Sequence, residues 1–368
     1  MKQISELVGC LRPELLPKSS GQQWNYLLHL DGFIAFLTSL DFHTYPQEHI
    51  SHFLEHLNDP LKADLELFCL GKDVEQSRLN PQLKKFLKTL EPSGLIRQEN
   101  NNSFTMYPYS IYVVDGLIYV ADIPNAMMNV YFGLDSLALS RRCHVEYLPG
   151  TKFLDLCGGP GIQGLLAAKA GAYVESVEIN PIASNVSLLN ATLNNLKQRY
   201  SIHEMSLHSF SSQLQHTKYQ RIVANPPLVP IPDEFTYNRP GHGGVDGLQV
   251  TKSILEFAPK LIADHGTCTL IGMCGGNEDG PAILDLLDLL SVDPQLQVIL
   301  CVLSEVDALN NSNWLNYLTT SLTCYGHKNL DKKAIAEIYQ QHNVSKYSPT
   351  LSILHEALKE ALTVTHHK

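Results

Sequence analysis

Apolar positions fall into three successive regimes along the chain. Residues 1 to about 100 place them at helical spacing, in WNYLLHLDGFIAFLTSL and ISHFLEHLNDPLKADLELFCLG, and NPQLKKFLKTLEPSGLIRQ predicts an amphipathic helix stopped by Pro92 and Gly94. From 103 to 122 the residues turn β-branched and aromatic, SFTMYPYSIYVVDGLIYVAD, and Asp115-Gly116 at the centre predicts a tight turn between two antiparallel strands. After a bridging segment, NVYFGLDSLALSRRCHVEYLPG, short apolar runs alternate with amphipathic ones. Strands are predicted over KFLDLC, YVESVEI, YSIHEMSL, YQRIVAN, GTCTLIGMC and QLQVILCVL, with helices between most of them. Helices followed by a hairpin predict a smaller, mainly helical, winged-helix-like domain over residues 1–125. The alternation predicts an α/β domain over 126–368 with a doubly wound, mostly parallel sheet.

Composition changes this picture mainly by exclusion. The 27 basic and 37 acidic residues give a formal net charge of −10, which removes the long-range attraction that a non-specific DNA binder relies on. No h-region follows the first methionine and no run of about eighteen apolar residues occurs, so a cytoplasmic protein without a membrane span is expected. The 8 cysteines show no C-x-x-C pair or regular spacing with histidine, and most sit in apolar runs such as TCTLIGMC, where a reduced thiol packs as a small hydrophobe. No metal site is expected. Lys84, Lys85 and Lys88 read as a solvated helix face rather than a contact surface.

In doubly wound sheets ligands sit beyond the carboxyl ends of the strands. The first such end is Asp155-Leu156-Cys157-Gly158-Gly159-Pro160-Gly161, a glycine-rich turn that lets backbone pass beneath a ligand and aims the next helix's N-terminus at it. The second is Glu178, whose two oxygens can accept both hydroxyls of an adenosine ribose. Gly159, Gly161 and Gly164 also satisfy G-x-G-x-x-G, so these two ends alone leave a dinucleotide and another adenosine-containing ligand both open. RIVANPPLVPIP separates them. A strand there runs into Asn225-Pro226-Pro227-Leu228, and two successive prolines make a rigid loop offering carbonyl oxygens and an asparagine with few competing donors. Such an acceptor-rich loop suits a substrate nitrogen whose N–H bonds must be held while its lone pair faces an electrophile. A hydride-transfer enzyme has no evident use for it.

With D-x-C-x-G-x-G, the acid after the next strand and N-P-P together, residues 150 to about 275 resemble class I S-adenosylmethionine-dependent methyltransferases of the N-P-P-[YFW] group. That group includes release-factor glutamine, ribosomal RNA guanine and DNA amino-methyltransferases. TYNRPGHGGVDGLQVTKSIL is similar to the stretch that follows N-P-P in the glutamine and ribosomal RNA branches. The resemblance implies a Rossmann-like fold and S-adenosylmethionine held by Asp155, Cys157, Gly159, Gly161, Glu178 and Asn225. It implies Asn225, Pro226 and Pro227 as the catalytic loop, and a segment closing over the cofactor at Tyr131 to Asp135. Cys157 replaces the usual first glycine, at small cost if its φ is negative. Leu228 replaces the aromatic residue that stacks on a flat substrate, with Phe235 or Tyr237 as candidates to take over that role. Tyr131, Leu228, Phe235 and Tyr237 are thus the expected substrate contacts. The loop HSFSSQL lacks the acidic residue that often meets adenine. The acceptor stays open among a protein or peptide amide, an RNA amino group and a small-molecule nitrogen, with a non-catalytic cofactor-binding module as the alternative.

Overall fold

The structure, a computed structural model, describes residues 54–356 apart from 82, 85–86, 88–90, 92–93, 101, 124–127, 144–148, 214–216, 292–295 and 328–329. The helices expected over residues 1 to about 53, and Lys85 and Lys88, lie outside the described residues. Lys84 is half-buried and donates to the Ser77 carbonyl oxygen at 3.2 Å. The first described helix, Leu61–Phe68, is followed by β1 (Val74–Glu75), β2 (Arg97–Asn100) and β3 (Ser103–Thr105), which form an antiparallel sheet of order β1-β3-β2.

β4 (Tyr109–Val114) and β5 (Leu117–Asp122) make the predicted hairpin, with Asp115 and Gly116 both at positive φ in the turn. The two-residue turn signal and the β-branched flanks dictate this pairing. The bridging segment then contains a helix, Leu134–Cys143, that the sequence reading left without structure.

The main sheet contains β6 (Lys152–Leu156), β7 (Tyr173–Glu178), β8 (Tyr200–Glu204), β9 (Tyr219–Ala224), β10 (Ile262–Asn277), β11 (Gly280–Pro281), β12 (Leu296–Val302), β13 (Val306–Asp307) and β14 (Lys346–Glu356). Its order is β12-β14-β10-β9-β6-β7-β8, with β11 on β10 and β13 on β14. Strands β8, β7, β6, β9 and β10 are parallel, joined by crossovers through the helices Ile162–Lys169, Pro181–Leu193, Leu207–Gln213 and Gln249–Leu261. All six strands expected in this domain are present. β14 was not foreseen. It inserts antiparallel between β10 and β12, after the helices Ser312–Cys324 and Lys332–Gln341.

Successive strands are added on one side of β6 as β7 and β8 and on the other as β9 and β10, so the carboxyl ends of β6 and β9 open a crevice at the switch point. Two asparagines on Pro181–Leu193 and at its end hold the hairpin against this sheet. Asn194 accepts from Ile118 N–H at 2.9 Å and donates to its carbonyl at 2.7 Å. Asn190, fully buried, does the same to Val120 at 2.8 and 3.0 Å and also donates to the Pro160 carbonyl at 3.0 Å. The free edge of β5 is thereby paired with amide side chains instead of a strand. Hairpin residues such as Ile111 and Tyr119 share one apolar cluster with Ile162, Leu165 and Val186.

Because Asn190 satisfies three buried backbone groups, Asn190→Ala is expected to destabilise the chain by about 2–4 kcal/mol in urea unfolding. A loss below roughly 0.5 kcal/mol would show that the hairpin is held by its apolar face alone.

Candidate cofactor and acceptor site

The crevice has a volume of about 680 Å³ and is lined by the glycine loop, Asp155, Cys157, Glu178, Asn225 and Pro227, together with Tyr119, Gln163 and the Met205–His208 stretch. HSFSSQL, expected as a loop without an acid, falls mostly in the helix Leu207–Gln213 and adds His208 and Ser211 to the crevice wall. Gly161, at φ +94, opens the helix Ile162–Lys169, and a Cβ there would stand 2.6 Å from both the Ser187 and Tyr200 hydroxyls. A Cβ on Gly159, at φ +55, would meet nothing nearer than the Tyr131 carbonyl at 3.9 Å. The loop is therefore pressed onto the protein at Gly161 and bare toward the crevice at Gly159.

Cys157 differs from its expectation. Its φ is +57, in the left-handed region, so the thiol-bearing residue occupies a conformation that favours glycine. The motif's usual glycine supplies that conformation without a Cβ, and here the strain is retained.

Asp155 is buried and accepts from Gly164 N–H at 3.0 Å. Burial raises its carboxyl to about 7, the Gly164 N–H opposes this, and the Glu178 charge adds to it. Glu178 also lies above its ordinary range through burial, offset by backbone N–H donors. Its Oε2 accepts from Gly159 at 2.8 Å and Oε1 from Asn180 at 2.7 Å. Both oxygens that were expected to meet ribose are therefore already engaged once each. A carboxylate oxygen has a second acceptor site, so two ribose hydroxyls still fit.

Asn225 sits where two cavities meet. Its Nδ2 donates to Asp135 Oδ2 at 3.1 Å and Ser136 Oγ at 3.2 Å, which fixes the amide orientation. Its Oδ1 is buried without a hydrogen-bond partner. Tyr131 donates to the other Asp135 oxygen at 2.5 Å, so the YFGLD segment orients Asn225 besides lining the crevice. Sequence reasoning missed this role of Asp135 and Ser136, because no local signal pairs positions 90 residues apart.

The second cavity, of about 510 Å³, lies across the Asn225-Pro226-Pro227-Leu228 loop. Leu228, Tyr237, Asn238, Asn316, Tyr317 and Thr320 are among its walls, and none of its described lining residues is Lys, Arg or His. Tyr237 borders both cavities, its hydroxyl 2.9 Å from that of Tyr317. Phe235 does not line either one. It is 7% exposed and packs edge-on against His327 at 5.3 Å, inside the apolar cluster formed with Ser312–Cys324 and Lys332–Gln341. Tyr237 packs against the same cluster but also reaches the cavities.

Among the described residues no group of three His, Cys, Asp or Glu side chains could hold a metal ion, and no helix is long and apolar enough to cross a membrane. Cys69, Cys268 and Cys274 are buried as apolar packing predicts, whereas Cys301 and Cys324 are exposed.

Two outcomes follow from this geometry. Cys157→Gly is expected to stabilise the chain by about 1 kcal/mol in thermal unfolding, by relieving the left-handed residue; a loss of stability would mean that the thiol's packing outweighs the strain. Asp155 is protonated more readily folded, near 7, than unfolded, near 3.9. The native state therefore binds the extra proton between those values, and this group's contribution falls as pH rises from about 4 to about 7. Wild type minus Asp155→Asn stability should decline across that window by up to roughly 4 kcal/mol, and a flat difference would contradict the buried, protonated carboxyl.

Residues 137–272 match the family model described as Methyltransferase small domain. The chain is 31% identical over 182 residues, 46% of its length and 56% of the relative's, to a ribosomal protein uL3 glutamine methyltransferase of Bradyrhizobium diazoefficiens. It is 30% identical over 125 residues, 33% of its length and 50% of the relative's, to a tRNA1(Val) (adenine(37)-N6)-methyltransferase of Yersinia pestis. The chain thus spans about half the length of these curated relatives. A SAM-dependent methyltransferase from Agrobacterium tumefaciens superposes with a TM-score of 0.42 at 17% identity, covering 68% of this chain and 70% of that one. The segment holding the glycine loop, Glu178 and Asn225 thus lies within the residues that match the Methyltransferase small domain, on a Rossmann-like sheet whose order is read from the chain's own strand pairing.

Proposed function

We propose that the chain is an N-methyltransferase that moves the methyl group of S-adenosylmethionine to a planar nitrogen presented through the second cavity. The observation that carries this reading is the buried, unpartnered Asn225 Oδ1 between the two cavities. An acceptor left without a donor in a low-dielectric site is costly, and a substrate N–H that supplies the donor recovers that cost.

When bound, the cofactor supplies an electrophilic methyl on a cationic sulfur. The chain's part is alignment and electrostatics. Asn225 Oδ1 and the Pro226 carbonyl accept the two N–H bonds of the acceptor nitrogen, which turns its lone pair toward the crevice and stabilises the positive charge that grows on it. Asp135 and Ser136 keep the Asn225 amide from rotating its donor end into the substrate. The proton leaves the nitrogen after transfer, so no strong base is required at the loop.

A protein or peptide side-chain amide is the favoured acceptor. Leu228 gives no aromatic face beside Asn225, and a nucleobase stacked on an aromatic ring gains about 1–3 kcal/mol. The second cavity also lacks a cation among its described lining residues to meet a phosphate. An RNA amino group is the second reading, kept because Tyr237 borders the cavity and one similar protein is a tRNA adenine methyltransferase. The N-terminal domain, taken as residues 1–125, then serves as a further substrate-holding surface, and the methyltransferase domain as 126–368.

Asn225→Ala is expected to lower single-turnover methyl transfer by about 10²–10³-fold while leaving S-adenosylhomocysteine affinity nearly unchanged. If the variant keeps its fold but loses cofactor binding instead, Asn225 belongs to the cofactor and the proposed role is wrong.

A further inference from the structure

The hairpin reaches into the cofactor crevice. Tyr119, on β5 and outside the segment that matches the family model, is fully buried, lines the crevice and has a hydroxyl without a hydrogen-bond partner. The Ile162 amide lies beside it. That N–H can occupy only a lone pair of the oxygen, so the hydroxyl proton remains undonated.

Gln163 flanks the same end of the crevice and is 3% exposed. Its Nε2 donates to the Ser136 carbonyl at 2.8 Å, which leaves Oε1 as the acceptor end, and this atom too is buried without a partner. The helix that carries Gln163 starts at Ile162; Asp155 takes its Gly164 N–H and the Ile162 N–H lies against the Tyr119 hydroxyl, which leaves the Gln163 N–H of its first turn. A buried donor, an amide at a helix N-terminus and a buried acceptor thus stand together. They complement an anion and a cation on neighbouring atoms, which is the pattern of an α-amino acid zwitterion.

We propose that Tyr119 and Gln163 form the subsite for the amino-acid end of the cofactor. The Tyr119 hydroxyl and the Gln163 N–H donate to its carboxylate, and Gln163 Oε1 accepts from its ammonium. This rests on the reading that the crevice takes S-adenosylmethionine. It makes the hairpin part of the cofactor site, and it gives a purpose to the contacts of Asn190, which tie Val120 of the hairpin to Pro160 of the glycine loop. The unpartnered hydroxyl is unfavourable in the ligand-free protein, and the ligand removes that penalty.

The test is titration of the full chain with S-adenosylhomocysteine and with 5′-methylthioadenosine, which keeps the adenosine and thioether but lacks the amino-acid end. Tyr119→Phe is expected to weaken S-adenosylhomocysteine roughly ten- to hundredfold, the scale of a lost hydrogen bond to a charged group, and to leave 5′-methylthioadenosine unchanged. Removing an unsatisfied hydroxyl should leave the melting temperature of the ligand-free protein equal or higher, which a residue kept for structure alone would not do. Gln163→Met, a second variant, should discriminate between the two ligands in the same way. Equal weakening of both ligands, or no change in S-adenosylhomocysteine affinity in either variant, overturns the subsite. If the wild-type chain binds neither ligand, the cofactor reading beneath it fails as well.

Discussion

One amide side chain is used at both ends. Asn225 spends its N–H donors on Asp135 and Ser136 and keeps its oxygen, buried, for something outside the protein. A free asparagine would present donor and acceptor about equally by rotating half a turn. Fixing the donor end with a carboxylate removes that freedom and makes the junction of the two cavities an acceptor only. Tyr131, by holding the other Asp135 oxygen, extends the restraint back to the segment before the helix Leu134–Cys143.

The rest of the fold serves to bring these groups together. The parallel strands place the glycine loop, Glu178 and the N-P-P loop at one edge of the sheet, on three separate carboxyl ends. β14 returns antiparallel between β10 and β12, and the helices Ser312–Cys324 and Lys332–Gln341 that precede it cover the loop after N-P-P. Tyr339 donates to the Pro230 carbonyl, and His327 accepts from Thr236 N–H at 2.8 Å. The outer wall of the second cavity is thus built by a part of the chain beyond the residues matched by the family model.

Much of this was legible in the sequence, for reasons that differ between elements. The hairpin declared itself through Asp115-Gly116, because few residues tolerate that turn, and the parallel strands through short β-branched runs bounded by turn residues. The glycine loop and N-P-P were legible because their chemistry needs particular residues at fixed spacing. β14 was not, since composition marks a strand without saying where in a sheet it inserts or in which direction. The conformation of Cys157 was misjudged because the side chain says little about φ when the surrounding loop imposes it. Phe235 and Tyr237 were equivalent on paper and were separated only by packing, which buries Phe235 and leaves Tyr237 at the cavities. The roles of Asp135, Ser136 and Gln163 depend on contacts between distant parts of the chain, which a single sequence does not encode locally.

The account's central claim is that the acceptor atom is a planar amide nitrogen held by Asn225. The most direct measurement is to let the wild-type chain transfer a tritiated methyl from S-adenosylmethionine to macromolecular fractions and then to identify the atom that carries it. The account predicts label in protease-sensitive, ribonuclease-resistant material, released as volatile methylamine on acid hydrolysis of an N-methylated side-chain amide. Label that stays on a nucleobase, or that sits on oxygen, sulfur or carbon, would contradict it.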